Sequence, residues 1–144
     1  MGRILHSTAE ARAALWSAKR VAVLGIKPET HAGEPAHYVP SFMQRNGYEI
    51  VPVPVYYPDV TEILGQPVYR KLADVPGELD MVIVFRRSRD VLPHVDDIVA
   101  KGAKTVWMQL GIENAEAAER LKAAGIDVVQ NRCAMVDYGG GPTG

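Results

Sequence analysis

The chain of 144 residues has a single cysteine, Cys133. No intramolecular disulfide can form, so burial and hydrogen bonding must hold the fold, and a reducing compartment, the cytoplasm, is the expected setting. An excess of charge of one sign is also missing: 16 Lys and Arg stand against 17 Asp and Glu, a formal net charge of -1. That balance gives no global electrostatic reason to bind nucleic acid or an anionic membrane, so any anion site must be local. Long apolar runs are absent too, and none approaches the roughly 18–20 residues of a membrane-spanning helix. The stretch Met1 to Leu15 lacks the apolar core and small-residue cleavage site of a secretory signal. His6 occupies the position where N-myristoylation wants Ser or Thr. Neither a nucleic acid nor a membrane is an expected partner.

Catalytic signatures are equally scarce. There is no G-x-S-x-G elbow, no Walker pattern and no pair of acids at general acid/base spacing. His31 and His37 share a loop without a cysteine or acid at metal-ligand spacing, so they read as polar loop histidines. Cys133 has no local base partner and reads as a structural thiol. No catalytic residue, no metal ligand and no enzyme activity are expected.

What is present is a regular alternation. "STAE" at 7–10 is a capping box opening an alanine-rich helix, Ser7 to Lys19, with a packing stripe of Ala11, Ala14, Leu15 and Ala18. "VAVLG" at 21–25 is a continuous apolar run of the kind buried on both faces in a parallel sheet. A long loop, 26–37, leads to a helix that ends near Gly47. Pro35 suits a first helical position, whereas Pro40 is expected to kink or delay that helix, with Ser41 as an alternative start. Strands follow at 49–55, 81–85, 105–109 and 127–132, the first of them proline-bearing and so edge-like. The connector from Tyr56 to Asp80 is expected to hold helical turns at Val60–Leu64 and Lys71–Val75. Helices are expected over 88–103, with Pro93 in its first turn and Gly102 as its stop, and over 113–125. The pattern predicts one α/β domain, a doubly wound, Rossmann-like parallel sheet of about five strands, over residues 1–138. The glycine-rich segment 139–144 is expected to be a mobile tail.

In such sheets ligands bind outside the C-terminal ends of the strands, where strand order reverses. The dinucleotide fingerprint needs a second glycine two residues after Gly25, and Lys27 stands there; no acid follows the second strand until Asp59. NAD is therefore a poor fit. After the third strand, Arg86, Arg87, Ser88 and Arg89 place three guanidiniums in four residues, and their forks match phosphate oxygens. Lys27 and the start of the helix after the long loop form a second cradle. Two anion cradles suit a ligand with phosphates in two places.

The segments "VAVLGIKP" (21–28), "NGYEIVPV" (46–53), "EILGQPVYRKLADVP" (62–76), "VFRRSRDV" (84–91), "GAKTVWMQLGI" (102–112) and "AGIDVVQNRC" (124–133) occur in this order across almost the whole chain. In this the chain resembles the stand-alone CoA-binding domain proteins, which are similar to the N-terminal Rossmann domain of the succinyl-CoA synthetase alpha subunit. The resemblance implies that Gly25, Ile26, Lys27 and Pro28 lie against the CoA phosphates and that Val53 flanks the adenosine. It implies that Phe85, Arg86, Arg87, Ser88 and Arg89 border the adenine and its phosphorylated ribose, and that Gln109, Leu110 and Gly111 line the pantetheine path. Tyr56 stands near a position that is basic in many relatives and would stack on adenine instead. The synthetase's catalytic histidine belongs to a domain this chain does not contain. The reading is thus a binder of CoA or an acyl-CoA without catalytic machinery. Two alternatives remain beside it, an NADP-linked enzyme or redox sensor, and an interaction module with a vacant nucleotide pocket. A homo-oligomer or a protein partner is left open.

Overall fold

A computed structural model describes residues 1–142. The expected doubly wound architecture is what it shows: five parallel strands form one sheet in the order β2-β1-β5-β6-β7. The strands are β1 (Arg20–Leu24), β2 (Glu49–Val53), β5 (Met81–Val84), β6 (Thr105–Met108) and β7 (Asp127–Val129). Proline-bearing β2 is an edge strand, where a missing N–H costs least. At the other edge, a bridge from Ile4 to Val128 lengthens the sheet by a short N-terminal extension.

Side-chain alternation explains why the strands are apolar throughout. Val21, Val23, Met81, Ile83 and Trp107 face one layer, which holds α1 (Thr8–Ser17), α2 (Pro35–Arg45) and α5 (Ala134–Tyr138). Ala22, Leu24, Val82, Val84, Val106 and Met108 face the other, which holds α3 (Val95–Lys101) and α4 (Ala115–Ala123). With both faces covered, every second residue is buried on each side and no polar face is left. The capping box forms as expected: Glu10 N–H donates to Ser7 Oγ at 3.1 Å, and Glu10 Oε1 accepts from the Ser7 N–H at 3.4 Å. Tyr48, buried behind α1, donates its hydroxyl to the Leu15 carbonyl at 2.6 Å.

Several local expectations are corrected. The turn expected at Val60–Leu64 is a hairpin, β3 (Glu62–Ile63) with β4 (Gln66–Pro67). Leu64 (φ 54°) and Gly65 (φ 73°) both sit in the left-handed region, as a two-residue hairpin turn requires. The helix expected over 88–103 is broken into 3-10 turns at Ser88–Asp90 and Leu92–His94, and α3 begins only after Pro93. Strand β7 stops at Val129, short of the expected 132, and Asn131 turns the chain with φ 55°. Helix α5 was not foreseen from the sequence; it is five residues long, too short for a periodic signal. Pro40 does not delay α2, which starts at Pro35 and runs through it. Of the segment 139–144, the described part ends at Pro142: Gly141 is buried and donates its N–H to the Tyr138 carbonyl at 3.0 Å. Thr143 and Gly144 lie outside the described residues.

Candidate functional site

Strand order reverses between β1 and β5, since the chain leaves β1 toward β2 and returns to place β5 on β1's other side. A cleft of about 460 Å³ opens at the C-terminal ends of these strands. Five chain segments wall it: Lys27 after β1, the start of α2, Phe85 to Arg87 after β5, Gln109 to Ile112 after β6, and Cys133 after β7.

Gly25 makes the first wall. Its φ is 89°, and a Cβ there would lie 2.2 Å from the Phe85 carbonyl oxygen. Only glycine lets the β1 and β5 loops approach this closely. Gly25 N–H reaches across to the Val53 carbonyl at 2.9 Å, and Phe85 N–H to the Leu24 carbonyl at 2.8 Å, so three strand tips are tied together. Lys27 then projects into the cleft with Nζ 2.6 Å from Glu34 Oε1. That bond holds the Glu34 carboxyl below its usual range and raises the Lys27 ammonium. Behind it, Ala36 at the start of α2 lines the cleft, and its N–H finds no backbone acceptor among the described residues. Helix starts offer such N–H groups to anions.

The opposite wall is cationic. Arg86 Nε donates to His94 Nε2 at 3.3 Å, and its guanidinium lies 5.8 Å from the Tyr56 ring centroid. Held between an imidazole and an aromatic ring, it keeps its terminal nitrogens without a protein hydrogen-bond partner among the described residues. Accepting that bond requires a neutral His94, and burial, followed by the Arg86 charge, lowers the His94 pKa from its ordinary 6.5. Arg87 Nε pairs with Asp90 Oδ2 at 2.8 Å, which keeps that carboxyl below its usual range. Ser88 is occupied structurally: its Oγ accepts from the Glu113 N–H at 3.1 Å and its carbonyl from Asn114 Nδ2 at 3.0 Å.

The third wall carries the polar floor. Gln109, only 3% exposed, accepts the Ala134 N–H on Oε1 at 3.1 Å. Gly111 donates its N–H to Asn131 Oδ1 at 2.7 Å, and Leu110 stands 65% exposed at the rim.

Of the residues singled out from sequence, Lys27, Phe85, Arg86, Arg87, Gln109, Leu110 and Gly111 line the cleft together. The others do not. Gly25, Ile26 and Pro28 shape the loop from behind it, with Ile26 and Pro28 buried. Val53 is buried and faces a smaller hollow beside His94. Tyr56 is 63% exposed and reaches the site only through Arg86. Ser88 braces the Gly111 to Asn114 turn, and Arg89 is exposed away from the cleft. Sequence reasoning missed Glu34, Tyr38, Val39 and Ile112 as lining residues. An acid seven residues after Lys27 was the available signal for Glu34; nothing local marks the others. Among the described residues no group of three or more His, Cys, Asp or Glu could hold a metal ion. No helix there is long and apolar enough to cross a membrane.

A family model described as CoA binding domain matches residues 19–139. The uncharacterized protein YneT of Bacillus subtilis (strain 168) is 35% identical over 132 residues, 92% of this chain and 94% of that one. Among solved structures, cell-free ID.343 from Thermus thermophilus superposes with a TM-score of 0.82 at 36% identity, covering 92% of this chain and 97% of that one. A hypothetical protein from Pyrococcus horikoshii OT3 does so with a TM-score of 0.81 at 29% identity, covering 92% and 90%.

Proposed function

The chain belongs to the CoA binding domain family, and from that premise we propose that it binds CoA or an acyl-CoA in the cleft at the β1/β5 switch point. The observation that carries this reading is the convergence of Lys27, Arg86 and Arg87 on one cavity that also has an uncharged arm. Phosphates would lie against these cations and the Ala36 N–H. Tyr56, already against Arg86, offers its ring to the adenine. The pantetheine arm would follow the Gln109 to Gly111 turn toward Cys133, past apolar Phe85 and Ile112.

The chain acts in this reading as a binder that holds or presents CoA in the cytoplasm and performs no chemistry of its own on the acyl group. The carboxylates nearest the ligand path are held by cations, Glu34 of the cleft by Lys27 and Asp90 beside it by Arg87, which supports this reading.

Calorimetric titration with CoA, dephospho-CoA, NAD and NADP tests the proposal. Micromolar affinity for CoA, weakened without the 3'-phosphate, is the expected result. Preference for NADP would replace it with a dinucleotide reading, and silence from all four ligands would leave the cleft vacant and turn attention to a protein partner.

A further inference from the structure

The cationic cleft also contains the only thiol in the chain. Cys133 is half-buried and lines the same cavity as Lys27 and Arg86. Beside it sits a second polar group with an unmet need. Gln109 is 3% exposed, and its Oε1 is committed to the Ala134 N–H. Because an N–H can bond only to the oxygen, the orientation of this amide is settled, and the NH2 group points the other way. Among the described residues its Nε2 has no hydrogen-bond partner, yet no fully enclosed side-chain nitrogen or oxygen there is without one. Nε2 must therefore reach an accessible surface, and the cleft is the surface that Gln109 lines. Two N–H donors at the floor of an otherwise apolar arm call for a carbonyl oxygen.

The backbone around the thiol is fixed from several directions. Trp107, wholly buried, donates Nε1–H to the Arg132 carbonyl at 2.8 Å. The Arg132 side chain bonds to Asp137 at 2.6 Å, and the Asp137 N–H returns to the Cys133 carbonyl at 2.9 Å. Cys133 thus faces the cleft from a rigid frame. With no second cysteine in the chain, a disulfide at Cys133 must be intermolecular. Its recessed place favours a slender thiol over a protein surface.

We propose that Cys133 is a covalent capture site for the thiol end of CoA, forming a reversible mixed disulfide while Gln109 Nε2 holds an amide carbonyl of the pantetheine arm. The proposal rests on the CoA reading of the cleft. The co-reactant is a CoA disulfide. Cys133, having lost its proton to solvent, attacks one sulfur of that disulfide; the new S–S bond forms as the old one breaks, and the departing CoA thiolate takes up a proton. One thiol and one disulfide are consumed and one of each is formed, so no further oxidant is needed. Holding the phosphates on Lys27, Arg86 and Arg87 raises the local concentration of the disulfide at Cys133.

The test compares reduced protein treated with CoA disulfide and with glutathione disulfide, read by intact mass without reductant. Expected is a gain of one CoA less two hydrogen atoms, undone by dithiothreitol and absent in Cys133→Ser. The reaction with CoA disulfide should run about tenfold faster or more than that with glutathione disulfide, and Arg86→Ala should slow only the former. Equal rates with both disulfides would mark ordinary thiol reactivity and overturn the proposal. A protein that binds CoA reversibly under reductant by calorimetry but gains no mass would overturn the capture step alone. Absence of both reversible binding and mass gain would overturn the CoA reading as well.

Discussion

The Lys27 N–H donates to the Ala36 carbonyl at 3.1 Å. In an uninterrupted helix that carbonyl would receive the N–H of residue 40, which is proline and has none. The bond that Pro40 withholds from α2 is thus supplied by the loop after β1. Two further links run between the same elements: His37 Nδ1–H donates to the Lys27 carbonyl at 2.8 Å, and Lys27 Nζ pairs with Glu34. The proline that appears from sequence to threaten the helix is what ties the cleft's first wall to it.

His37→Ala should loosen this wall. His37 is 6% exposed, and its removal leaves both a gap and an unmet Lys27 carbonyl. A loss of about 2 kcal/mol in unfolding free energy is expected, with weaker CoA affinity. Denaturant unfolding beside calorimetry checks both; unchanged stability would show that Ala36 alone holds the loop.

Arg86→Ala combined with Arg87→Ala should weaken CoA binding at least tenfold, on the order of 1.4 kcal/mol. Both guanidiniums line the cleft, and the terminal nitrogens of Arg86 have no hydrogen-bond partner among the described residues. Stability should change little by comparison, since Arg87 is exposed. An unaltered dissociation constant would move the phosphate site elsewhere.

Gly25→Ala should be among the most damaging single changes in the chain. The added Cβ would meet the Phe85 carbonyl oxygen at 2.2 Å, in a backbone conformation with φ at 89°. Backbone on both sides leaves little room to relax, and a loss of about 3 kcal/mol or more is expected. Gly33→Ala is the control, because nothing lies within 4 Å of its Cβ position. Thermal unfolding that ranks the two alike would refute the close-approach argument.

His94 links stability to pH. Burial and the Arg86 charge lower its pKa, while Asp97 and Asp90 pull the other way. The folded protein therefore prefers neutral His94 more than the unfolded chain does. Its contribution is fully present above the ordinary 6.5 and is lost as pH falls from there through the lower folded value. CoA affinity should fall over the same interval, because protonated His94 can no longer accept from Arg86 Nε and repels it. His94→Asn should flatten this part of the stability profile; an unchanged slope between wild type and variant would assign it to other groups.

Legibility in the sequence followed how local each feature is. The capping box, the doubly wound layering and the edge position of β2 were readable because each depends on neighbours in the chain or on strand periodicity. The Leu64-Gly65 hairpin was missed because leucine seldom adopts positive φ, so "ILGQ" carried only half of a turn signal. Short α5 and the broken start of α3 escaped for a related reason, since three to five residues are too few for a period to show.

The sequence by itself determined that both faces of the sheet would be covered, that any anion site would have to be local, and that a cationic loop would stand at a strand tip. Tertiary structure decided which of these residues share a cavity. It sent Arg89 and Ser88 away from the cleft, brought in Glu34, Tyr38 and Val39, and placed Gln109 beside Cys133. The physical reason is that strand tips are gathered by parallel pairing across crossovers. Residues far apart in the chain become neighbours through register, which no local pattern of side chains encodes.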